Sequence, residues 1–100
     1  MKPTLTYLYS KTCWACKEAL PEFKKLSQML PNWQFNMLDL DAPGVNLDFP
    51  VNYTPTLHLR LGARRYTTDP KTLGRDFTAE NMQLWLQAAV KKWKSEGSPR

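Results

Sequence analysis

Cys13 and Cys16 are the only cysteines among 100 residues, and only Trp14 and Ala15 separate them. Two thiols so close can exchange with disulfides or ligate a metal. Exchange needs a thiolate. An apolar run from Leu5 to Tyr9 leads into the pair and a helix-like run from Lys17 to Leu30 leads out. A helix start has unpaired N–H groups and partial positive charge, so it stabilises an anion placed there. A thiol in that position drops from its usual pKa of ~8.5 into roughly the 3.5–7.5 range. Cys13 is then the exposed attacking thiolate. Cys16, one turn into the helix, is the more buried thiol that acts second. The metal reading lacks ligands: structural zinc is tetrahedral, and His58 is the one histidine available beyond the thiols. A metal shared between two chains escapes that argument. His58 follows a strand pattern and reads as a surface or half-buried strand residue. Lys11 and Lys17 flank the dithiol; positive charge from either would favour the thiolate, and both equally fit solvated lysines. Trp14 sets a flat apolar surface beside the nucleophile, either to dock apolar protein segments or to pack on its own loop.

The elements that must position these residues belong to one small domain, with an expected radius of gyration of about 13 Å. Hydrophobic residues make up 42% and charged residues 23%, with four each of tryptophan, tyrosine and phenylalanine. That aromatic content excludes a disordered chain. The net charge of +5 suits acidic partners or a solvated basic surface. No basic motif with interleaved aromatics of the nucleic-acid kind stands out. Two cysteines cannot build a disulfide framework. No apolar run approaches the ~20 residues of a membrane span, and residues 1–4 lead straight into a strand without a signal-peptide core. The expectation is a cytoplasmic protein, or a domain cut from a longer secreted one.

In chain order, Leu5, Tyr7 and Tyr9 alternate through a central strand, and Ser10-Lys11-Thr12 forms the loop that delivers Cys13. Ala19, Leu20, Phe23, Leu26 and Leu30 recur at helical spacing. Pro21 predicts a kink there and Pro31-Asn32 a stop. A second strand is expected over 33–40 and a turn over 41–44. Residues 45–54 read as an irregular loop with a short helical turn. Pro55 opens a third strand over 56–61, whose leucines alternate with polar residues. Gly62-Ala63 turns the chain into a return strand over 64–68. Thr78 reads as an N-cap with Glu80 in the first turn. Met82, Trp85, Leu86, Ala89 and Trp93 make the stripe of a last helix. The order β-α-β, β-hairpin, α gives a mixed four-stranded sheet flanked by helices, the first connection being a right-handed crossover. The domain is expected over 1–94, with a frayed tail over 95–100.

Four features together resemble the thioredoxin fold. The Cys-x-x-Cys pair follows the first strand and opens the first helix. Lys17 follows the second cysteine. Pro21 stands five residues after Cys16, as does the proline of the thioredoxin helix. Thr54-Pro55-Thr56 matches the cis-proline motif before the third strand. Tyr9-Ser10-Lys11-Thr12-Cys13 is similar to the glutaredoxin approach to the site. Yet no Gly-Gly pair, with which glutaredoxins help hold glutathione, follows the hairpin. Gly74-Arg75-Asp76-Phe77 resembles a stretch of protein disulfide isomerase domains in which an arginine tunes the buried cysteine; Arg75 inherits that role or is a surface arginine. Thioredoxins also carry a buried acid and a lysine partner near the dithiol. Tyr7 and Met37 stand in those positions here.

The resemblance implies a thiol–disulfide oxidoreductase acting on protein disulfides, with no bound cofactor and no metal. Cys13 and Cys16 are its catalytic pair. Trp14, the Thr54 backbone and Pro55 contact substrate, Pro55 through a cis peptide that faces the disulfide and also denies metal access to the thiols. Electrons come from a reductase or a small thiol. A monomer is expected, without nucleic-acid or membrane partners. With the acid–lysine pair gone, exchange near neutral pH should be slower than in a thioredoxin. A glutathione-dependent, glutaredoxin-like enzyme and a non-catalytic binding module are the alternatives. Asn52-Tyr53-Thr54 matches the glycosylation triplet, but it abuts the site and precedes a proline, and is read as coincidence.

Overall fold

Leu5, Tyr7 and Leu8 have no accessible surface, because their strand lies inside the sheet with both faces covered. In the computed structural model, which describes residues 3–51, 53–68, 73 and 76–96, the elements are β1 (Thr4–Tyr9), α1 (Trp14–Met29), β2 (Gln34–Asp39), β3 (Thr56–Leu61), β4 (Arg64–Thr67) and α2 (Ala79–Ser95). The sheet order is β2-β1-β3-β4. β1 runs parallel to β2 and antiparallel to β3, and β3 and β4 form the hairpin. Gly62 carries the left-handed φ of 59° that this turn needs. The mixed four-stranded sheet and the element order are those read from the sequence, and the radius of gyration is 13.2 Å.

Both helices pack on one face of the sheet. The register sets Leu5 opposite Leu59 and Tyr7 opposite Leu57, and these four join Phe23 and Leu26 of α1 and Met82 and Leu86 of α2 in one core cluster. Tyr7 and Phe23 stack with ring centroids 5.0 Å apart, and Phe35 meets Phe23 edge-on at 5.7 Å. Pro21 lies inside α1 without ending it. The carbonyl it leaves unpaired, that of Lys17, belongs to an exposed residue, so water can satisfy it. Thr78 caps α2, its Oγ1 accepting from the Asn81 N–H at 3.1 Å. Glu22 adds a cap from α1, its carboxylate accepting from the Ala79 N–H at 3.0 Å. An anion at that helix start is also favoured by the macrodipole.

The opposite face is closed by the segment between β2 and β3, and here the structure corrects the sequence reading in two ways. Among the described residues of 45–54 there are bends and no helical turn. Moreover His58, read as surface or half-buried, is buried at 8% exposure. The Phe49 ring stacks on it with centroids 3.9 Å apart, and its Nδ1 lies 2.9 Å from Thr67 Oγ1. Tyr53 donates to the Thr68 carbonyl, and Asp48 pairs with Arg65 at 2.7 Å. Of the polar positions that alternate with leucine in β3, Thr56 and His58 are buried and Arg60 is exposed. At the chain's end, α2 runs through Ser95 and Glu96 caps it. Glu96 also accepts from Tyr66 Oη at 2.9 Å; residues 97–100 of the expected tail lie outside the described residues.

Burial holds the His58 imidazole below its usual pKa near 6.5, with Arg65 and Arg60 adding to the shift and Asp48 opposing it. The unfolded chain therefore binds a proton at a pH where the folded one does not. The stabilisation is complete above the unfolded pKa and is lost as pH falls through the lower, folded one. Urea midpoints at pH 7 and pH 5 should differ more in the wild type than in His58→Gln; an unchanged difference would discount this group.

Candidate active site

The site is built at the end of β1, where the chain turns into α1. Cys13 is the N-cap of α1, with φ −82° and ψ 111°, and its side chain faces the first turn. Its Sγ accepts the Cys16 N–H at 3.1 Å. As the sequence reading has it, the pair opens the helix: α1 begins at Trp14, with Cys13 as its N-cap and Cys16 in its first turn. Cys13 and Cys16 form a disulfide, with Cα atoms 5.2 Å apart. Cys16 is 3% exposed and Cys13 is partly exposed. The accessible sulfur is thus also the one at the electropositive helix end, where a thiolate is stabilised on reduction.

Below the dithiol lies Tyr7, which donates from Oη to the Cys16 carbonyl at 2.7 Å. Burial, together with Tyr9, pushes its phenol well above the ordinary value. Tyr7 therefore stays protonated and serves as a support for the helix, not as a base. Met37 sits beside it in the parallel register and is 44% exposed. Tyr7 and Met37 thus offer a phenol and a thioether here, and neither can relay a proton near neutral pH.

Pro55 is buried, and the Thr54–Pro55 peptide is cis. Leu8 pairs with Thr56, so the end of β1 that leads to Cys13 lies beside the start of β3 that follows Pro55. Thr54 is partly exposed at this junction, and the Thr56 hydroxyl donates to the Tyr53 carbonyl at 2.6 Å. Trp14 is the most exposed large apolar residue of the described chain, at 72%. Lys17 lies over its ring, with Nζ 5.9 Å from the centroid. Packing of Trp14 on its own loop is therefore not what is seen. Lys11 turns to Asp39, with Nζ 3.6 Å from the carboxylate. Arg75 and Asn52 lie outside the described residues. His58 stands on the other face of the sheet, paired with Thr6, so the sheet separates it from the thiols. A Cys-Cys-His ligand set is not assembled within one chain.

Sequence reasoning missed the carboxylates that hold the dithiol loop. Asp41 accepts from Ser10 Oγ at 2.7 Å and from the Lys11 N–H at 3.3 Å. The Ser10 carbonyl in turn accepts the Cys13 N–H at 3.1 Å. Thr12 Oγ1 lies 3.0 Å from Ser10 Oγ, and Asp39 accepts the Asp41 N–H at 2.9 Å. The signal was present in the sequence as Asp39 and Asp41 at the end of a strand parallel to β1, but only the fold shows which loop they meet. Asp41→Ala should lower stability by about 1 kcal/mol, as expected for hydrogen bonds to an exposed charged acceptor. Asp41→Asn should recover most of that. Urea unfolding of the oxidised proteins measures both.

This geometry, with a dithiol at a helix start beside a cis-proline on a mixed sheet, is that of the thioredoxin fold. No family model matches the chain, and no curated protein matches it in sequence. Solved structures do match. A malarial protein superposes with a TM-score of 0.69 at 22% identity, covering 92% of this chain and 97% of its own. Thioredoxin from Fasciola hepatica gives 0.70 at 12% identity, over 87% of this chain and 80% of its own. A chain from the complex of ferredoxin:thioredoxin reductase with thioredoxin f2 gives 0.71 at 20% identity, over 89% and 78%. Identities this low establish the common fold.

Proposed function

We propose that the protein is a thiol–disulfide oxidoreductase acting on protein disulfides through Cys13-Trp14-Ala15-Cys16. The observation that carries this reading is Cys13 at the N-cap of α1, its sulfur receiving the Cys16 N–H while bonded to the buried partner sulfur. In the reducing direction the Cys13 thiolate attacks a substrate disulfide. That bond breaks, a mixed disulfide forms, and the first substrate sulfur leaves as thiolate. Cys16 then gives up its proton and attacks Cys13 Sγ. The second substrate thiolate is released and the Cys13–Cys16 disulfide closes. Two electrons pass to the substrate. No bound cofactor takes part.

Trp14 offers the apolar contact for the substrate chain, and the backbone at Thr54 can pair with an extended segment by β-augmentation, next to Pro55. With Tyr7 protonated, the proton of Cys16 leaves through water or substrate. Exchange near neutral pH is then slower than where a buried acid serves. Rereduction falls to a reductase or a small thiol. The matching chain from a thioredoxin f2 complex with its reductase supports the reductase route. The protein is read as a cytoplasmic monomer, a reducing setting in which this cycle runs. Catalysed reduction of insulin by dithiothreitol tests the proposal. Turnover that requires glutathione would favour a glutaredoxin-like enzyme, and no turnover with either thiol would favour a binding module.

A further inference from the structure

At the pole opposite the dithiol, a groove of about 400 Å³ opens between the end of α1 and the outer side of α2. It is lined by the apolar Leu30, Trp33, Leu86 and Val90, and by two glutamines with the exposed Lys91 and Lys94. That volume falls within the range of roughly 300–1,000 Å³ common for ligand sites. The charge around it is one-sided. No aspartate or glutamate is among the lining residues beside Lys91 and Lys94. Lys25 is ion-paired with Glu80 at 3.9 Å. Lys91 and Lys94 have no ion-pair partner among the described residues.

We propose that this groove is a second, redox-independent docking site for an acidic protein segment that seats an apolar side chain between Leu30, Trp33, Leu86 and Val90 and sets its carboxylates on Lys91 and Lys94. The apolar lining favours such a segment over nucleic acid, which would need a continuous track of cationic side chains for its phosphates and several stacking faces. The groove lies at the far end of α1 from Cys13. That helix has 16 residues, about 24 Å at ~1.5 Å each. A segment docked there leaves the dithiol open and raises the effective concentration of any disulfide on the same partner.

The test uses the full chain, oxidised and reduced, with a fluorescein-labelled amphipathic peptide of leucine and glutamate followed by anisotropy. A peptide with glutamine for glutamate and a single-stranded oligonucleotide serve as comparison probes. The expected result is saturable binding to both redox forms, weakened about tenfold by Lys91→Glu with Lys94→Glu and similarly by the glutamine peptide. In the NMR spectrum the Trp33 indole should shift while resonances around Cys13 stay in place. Both substitutions are at exposed positions, and an unchanged thermal midpoint checks folding. The proposal is overturned by no binding, by equal binding to the charge-reversed protein, by shifts centred on Trp14 and Cys13, or by tighter binding of the oligonucleotide at the same surface.

Discussion

Replacing Cys13 by serine should reduce insulin turnover to background, a loss of at least about 10³-fold, the scale on which removal of a nucleophile acts. The serine hydroxyl keeps the cap on α1, so folding is little affected. What disappears is the thiolate that begins the cycle. Cys16→Ala should give an equally inactive protein with a different signature. Its Cys13 still attacks, but nothing resolves the adduct, so substrate accumulates on it as a mixed disulfide visible by mass spectrometry and released by dithiothreitol. An adduct on Cys16 in Cys13→Ser at the same rate would reverse the assigned roles. That outcome conflicts with the burial of Cys16 at 3% exposure and with the helix N–H aimed at Cys13.

Phe23→Ala should be the most destabilising single change in the core, at about 3–5 kcal/mol. Phe23 is 2% exposed and its ring meets both Tyr7 and Phe35. It thus joins α1 to the two parallel strands at once. Domains of this size have total stabilities of about 5–15 kcal/mol, so the variant should melt well over 10 °C lower. Phe23→Leu, which keeps more of the volume, should cost clearly less. Urea midpoints of the oxidised proteins decide it: a change below about 1 kcal/mol would mean that the core closes around the gap.

Much of the site was legible because its signals are local. The cysteine pair, the helix that follows and the strand that precedes lie within one stretch of chain. Leucine alternation marked β3, and Thr78 marked the start of α2. What escaped was settled by contacts between distant residues. Glu22 caps a helix that begins 57 residues later. Asp41 ties down a loop some 30 residues upstream. Phe49 stacks on the buried His58, which its strand pattern alone reads as surface or half-buried. The stretch before Pro55 has no periodicity because it forms neither helix nor strand; its side chains are chosen to cover a sheet face, a role that no repeat records.

That cover has a consequence for how the molecule opens. Among the described residues, only β1 and β3 have a paired neighbour on each side, and on one of their faces the lid is a segment whose described residues form no ladder. Amide exchange with solvent should be slowest along β1 and β3 and fast over residues 45–51. The dithiol rides on a helix rooted in the slow region through Phe23 and Leu26, whereas the backbone at Thr54 adjoins the fast one. The two sides thus answer to different clocks: the sulfur stays put while the edge at Thr54, where we propose that a substrate strand pairs, breathes.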